Sequence, residues 1–258
     1  MTVSRSLLIA VALMMTAAAC SSDSAPATTD ASVSTTDPAP ITTSPSPTTS
    51  AGSLPTATTS GATTTILPGE PFDLFVPQDG EMVSVVGVAH DDVLNIREGP
   101  GVSYAIVGTL APTADDVAGT GVGRILESSI WWKVVALGTE GWVNASFVSR
   151  TGDVVDLTSI VVDGLGEIPA AETMMELGLI VATELASVDP ASDIVMSVAP
   201  SAGDVGEVTY DILGFGDDSF AGYRLHIFGQ SIEGEFSLMA VEATELCTRG
   251  TTAEGLCA

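Results

Sequence analysis

Leu94-Asn95-Ile96-Arg97-Glu98-Gly99-Pro100-Gly101, followed by Tyr104, is the stretch that decides the fold. Leu94 and Ile96 alternate with Asn95 and Arg97, the period of a strand with one face in a core and the other in water. Pro100 and Gly101 fit the second and third positions of a type II turn, where glycine supplies the positive φ. Strands are expected on either side of this segment, over residues 83–88 and 105–110, and another begins at Val117. Residues 119–123 are glycine-rich and read as a flexible loop. Trp131-Trp132-Lys133-Val134 opens a further strand to residue 137, residues 138–141 form a hairpin turn, and Trp142-Val143-Asn144 starts the closing strand to residue 148.

Taken in order, Leu94–Arg97, Glu98-Gly99-Pro100-Gly101, Tyr104, Ile106-Val107-Gly108-Thr109-Leu110, Trp132-Lys133-Val134 and Gly141-Trp142-Val143 resemble the bacterial SH3-like (SH3b) repeat. The resemblance runs over about 65 residues, a quarter of the chain, and implies a small β-barrel over residues 69–150. It also implies contact with cell-wall peptidoglycan or its peptide, often as a targeting attachment. Two departures stand out: Glu98 replaces the usual Ser or Ala, and residues 118–129 are Gly-rich rather than basic. The candidate ligand surface is Asn95, Arg97, Tyr104, Trp131 and Trp142. Aromatic faces can stack on sugar rings, and Arg can pair with a peptide carboxylate. Period 2 places Trp131 and Trp132 on opposite faces, so the same rings serve equally as core.

Residues 153–258 do not share this pattern. Residues 154–162 read as a strand and residues 169–186 as one helix, with Pro169 at its start and Pro190 beyond its end. Strands are expected over 194–199, 208–213, 223–228 and 235–241. The fold class is therefore mainly β: a small SH3-like β-barrel, then an α+β domain with an antiparallel sheet and one helix. Cys247 and Cys257 are most simply a disulfide in an exported chain.

Export is indicated at the N-terminus. Arg5 precedes the apolar run Leu7-Leu8-Ile9-Ala10-Val11-Ala12-Leu13, a signal-peptide pattern over residues 1–19. Ala17-Ala18-Ala19-Cys20 resembles the bacterial lipobox, which implies lipidation of Cys20 and an extracytoplasmic, membrane-anchored protein; a secreted protein with an incidental Cys is the competing reading. Residues 20–68, nearly all Ser, Thr, Ala and Pro, have no apolar periodicity and read as a disordered stalk.

The 258 residues carry 33 acidic and 7 basic side chains, a formal net charge of −26. Phosphate backbones repel such a surface, so nucleic acid is set aside as a partner. No His-Glu-x-x-His, Gly-x-Ser-x-Gly or phosphate-loop motif is present, and no cofactor or metal is expected. Three functional classes follow: a non-enzymatic lipoprotein contacting the wall, an adaptor that binds another envelope protein through the C-terminal domain, and a wall hydrolase with an unrecognised carboxylate pair.

Overall fold

The computed structural model describes residues 66–201 and 203–258. The expected leader, the lipidation site Cys20 and the stalk as far as residue 65 lie outside the described residues. The fold is mainly β, an open antiparallel sheet of 13 strands with two α-helices among the described residues.

The N-terminal half runs β1 (Glu70–Phe72), β2 (Met82–Val85), β3 (Leu94–Arg97), β4 (Ile106–Leu110), β5 (Val117–Ile125), β6 (Ile130–Ala136) and β7 (Thr139–Asn144). A short 3-10 turn, Ala145–Phe147, leads into β8 (Val148–Asp156). Spatially the order is β2-β5-β6-β7-β3-β4, and β1 pairs with β5. The strands wrap one core, in which Val83, Val85, Ile96, Leu110, Val117 and Val134 are all at most 1% exposed. The alternation in β3 is as the sequence suggests, with Leu94 and Ile96 inside and Asn95 and Arg97 half-buried outside.

The glycine-rich segment expected as a loop instead lies within β5. Its register breaks between Gly119 and Gly123, where Gly121 takes φ +71°. A Cβ on Gly119 would stand 2.5 Å from Pro77, and one on Gly123 2.5 Å from the Phe72 carbonyl. The glycines thus admit residues 72–78 tightly across the strand instead of freeing it.

The C-terminal half contains α1 (Thr158–Leu165), β9 (Ala170–Ala171), α2 (Met174–Leu185), β10 (Asp193–Ser201), β11 (Val205–Leu213), β12 (Phe220–Ile232) and β13 (Glu235–Cys247). Two expectations are corrected here. Residues 154–162 do not form one strand: β8 stops at Asp156, whose carboxylate accepts the Thr158 N–H at 2.8 Å and opens α1. Burial of Val161 then overrides the strand preference of Ile160-Val161-Val162. The helix expected over 169–186 begins only at Met174. Ala170–Ala171 is a strand paired with β13, and Thr173 caps α2 through a reciprocal box with Glu176.

Strand order continues β10-β11-β12-β13-β8-β2, so β8 joins the two halves. Its first residues pair with β2, as Val85 opposite Val148, and its last with β13, as Glu242 opposite Asp156. A second core lies between α1, α2 and the long strands, with Leu177, Val181, Ile212, Leu225, Ile227 and Val241 fully buried. Cys247 and Cys257 are bonded, with Cα atoms 5.1 Å apart. No helix among the described residues is long and apolar enough to cross a membrane.

Candidate functional site

The side chains singled out in the sequence do not assemble into an open surface. Trp131 and Trp142 are 3% and 2% exposed, so neither offers a ring face to a ligand; the expected aromatic platform is corrected on this point. The two rings lie on the face opposite Trp132, which joins the core. Trp131 donates its Nε1–H to Ser129 Oγ at 3.0 Å and edges a small hollow with Gly101, Val102 and Asn144. Arg97 is engaged internally: Nη1 donates to the Val102 and Tyr104 carbonyls, each at 2.9 Å, and so fastens the turn after β3. Tyr104 lays its ring against Gly99, where a Cβ would collide with it. Asn95, half-buried, stands opposite Thr109.

A larger feature lies between the two halves: a cleft of about 640 Å³. One wall comes from residues 72–75 and 125–132, the other from residues 213–221. Five rings line it, Phe72, Phe75, Trp132, Phe215 and Phe220. Apart from Trp132 these rings retain exposure, unlike Trp131 and Trp142. Hydroxyls of Ser129, Ser146 and Thr248 and the carboxylates of Glu127 and Asp217 complete the lining, which includes no Lys, Arg or His.

Both walls are held in place. Phe215 and Phe220 meet edge-on at 5.2 Å between centroids, and each also contacts Tyr223, at 5.8 and 4.7 Å. Asp217 accepts the Ser219 N–H at 2.7 Å, the Ser219 hydroxyl at 2.8 Å and the Phe220 N–H at 2.9 Å. These donors, the Phe220 amide foremost, hold its carboxyl below the ordinary range, so the rim stays anionic. Arg249 pairs with Asp218 on one wall and stands 5.1 Å from the Phe75 ring centre on the other. Arg150 binds Glu81 and donates to the Phe75 and Thr248 carbonyls. Deeper, the buried Asp211–Arg224 pair links the two halves: Arg224 Nη2 donates to the Val85 carbonyl at 2.7 Å, and Asp211 accepts the Gly87 N–H at 2.8 Å.

Comparison with family models, with curated proteins and with solved structures returned no match. The site therefore stands on its own geometry.

Among the described residues no three His, Cys, Asp or Glu side chains gather at metal-binding distance. Cys247 and Cys257 are bonded to each other, which leaves no free thiol among those residues. What remains is a recess suited to ring stacking and hydrogen bonding. Its rings were missed in the sequence, although Gly214-Phe215-Gly216-Asp217-Asp218-Ser219-Phe220 carried a signal: two Phe residues inside an otherwise polar turn between strands.

Proposed function

We propose that the chain is a non-enzymatic, lipid-anchored protein of the cell envelope that contacts the cell wall, with peptidoglycan seated in the aromatic cleft. The SH3-like module supplies one wall and the C-terminal sheet the other. The observation that carries this reading is the pairing of partly exposed Phe rings with hydroxyls and carboxylates in one recess. Rings stack on the apolar faces of sugars, and Ser129, Ser146, Glu127 and Asp217 can accept from sugar hydroxyls and peptide N–H groups. A lining without cations favours neutral sugar and amidated peptide over a free carboxylate.

Cosedimentation of the detergent-extracted protein with purified peptidoglycan tests the reading. Binding is expected to weaken at least tenfold in a folded Phe215→Ala, Phe220→Ala variant; unchanged binding would remove the cleft from consideration. Zymography on the same peptidoglycan should show no clearing, and clearing would restore the hydrolase reading. Cys20→Ser is expected to release the protein from membranes. A second reading, an adaptor that binds another envelope protein through the C-terminal domain, is favoured by the outer face of the helices.

A further inference from the structure

Helix α2 covers the C-terminal sheet with Met174, Leu177, Val181 and Ala182, all at most 2% exposed. That face satisfies its packing, yet the opposite face is also apolar. Leu179 is 49% exposed and Ile180 37%, with Met175 at 49% nearby and Ile160 of α1 at 55%. A helix whose role ended at the sheet would carry polar residues here. Leu179 and Ile180, with Leu165 at the end of α1, form the apolar walls of a groove of about 610 Å³ beside α2.

Charge selects the occupant. Glu172, Glu176 and Glu184 border the groove. No ion pair among the described residues involves any of the three. No Lys, Arg or His occurs anywhere from residue 151 to residue 223. The three carboxylates thus border an apolar trough, Glu176 turned back onto Thr173 and Glu184 lying against Gly164 of α1, with no basic residue of their own region to neutralise them. An anionic lipid surface is repelled by such a rim, and a neutral apolar segment would leave it uncompensated. The 12 residues of α2 make a seat about 18 Å long at 1.5 Å per residue, matching roughly three turns of a docked helix.

We propose that the α1–α2 groove binds a cationic amphipathic helix of a partner protein. Apolar residues at i, i+3, i+4 and i+7 fill the trough between Leu165 and Ile180, and flanking Lys or Arg side chains meet Glu172, Glu176 and Glu184. This site is separate from the cleft and does not depend on what the cleft holds.

The full-length protein in detergent, titrated against a fluorescein-labelled 14-residue Leu/Lys amphipathic peptide, tests the proposal by anisotropy. An isohelical Leu/Glu peptide is expected to bind at least tenfold more weakly. Leu179→Asn with Ile180→Asn, which leaves the charge unchanged, should also cost at least tenfold, whereas binding by diffuse attraction to an acidic surface would survive it. Ile180→Asn, a single exposed and uncharged change, serves if the double variant fails to fold and should still weaken binding severalfold. Glu172→Gln with Glu184→Gln should weaken binding less and flatten its salt dependence. Phe215→Ala should leave this binding unaltered. Equal binding of the two peptides, full binding to the groove variants, loss with Phe215→Ala, or groove-dependent attachment to phosphatidylglycerol vesicles would each overturn the assignment.

Discussion

Arg224 shows how firmly one side chain can hold the two halves of the sheet together. It is 7% exposed, bonds both carboxylate oxygens of the fully buried Asp211, and reaches across to the Val85 carbonyl. Removing it would strand Asp211 as an unpaired buried charge. Arg224→Met is therefore expected to cost about 3–5 kcal/mol in a denaturant titration, and a loss below about 1 kcal/mol would contradict this role. Glu81 makes a milder, pH-dependent link. Its hydrogen bond to Arg150 holds the carboxyl below its ordinary value of 4.5. A depressed folded pKa stabilises above the unfolded pKa, and that stability is lost as pH falls through the folded one. Glu81→Gln should leave a shallower loss of stability as pH falls below 4.5, read from urea midpoints. Neither arginine's role was legible in the sequence, because Asp211 lies 13 residues from Arg224 and Glu81 lies 69 from Arg150.

At the scale of elements, α2 provides two opposed tests. Thr173→Ala removes the hydroxyl that accepts the Glu176 N–H and should cost about 1 kcal/mol in thermal or denaturant unfolding. Gly178→Ala would ordinarily strengthen a helix by up to about 1 kcal/mol. Here the new Cβ would lie 2.6 Å from both the Tyr210 ring and Val208, so the variant is expected to be less stable than the parent. The strands were legible where apolar and polar residues alternate, as in β3, and where β-branched runs recur, as in β11. Helix α1 was not, because Ile160-Val161-Val162 has strand-like composition and its helical state rests on the Asp156 carboxylate and on the core around Val161. The Thr173-x-x-Glu176 signature was present in the sequence and would have placed the start of α2 correctly.

For the molecule as a whole, the joining strand β8 and the terminal disulfide decide how far the cleft holds together. The bond closes a loop between residues 10 apart in sequence, and Cys247→Ser with Cys257→Ser should cost about 2–3 kcal/mol by calorimetry. The same loop carries Arg249 to Phe75 and Asp218, and begins at Thr248, which accepts from Arg150. Under the proposed function, peptidoglycan binding should therefore fall in the disulfide-free variant even where it remains folded. The cysteine pair was readable from spacing and from the export expected of the N-terminal sequence. The cleft was not, since its walls come from segments more than 80 positions apart, and only the strand order sets them face to face.

Strand β1 has a mechanical consequence. It is three residues long, lies where the described chain begins, and pairs with β5 from Glu70 opposite Ile125 to Phe72 opposite Gly123. A tether pulling at Ile66 would load those rungs one at a time, like a zipper, before reaching either core. Phe72 is both the last rung and a ring of the cleft wall. Tension on the N-terminal side would therefore reach the aromatic cleft before either core, and under the proposed function a bound wall fragment would brace the rung that yields last.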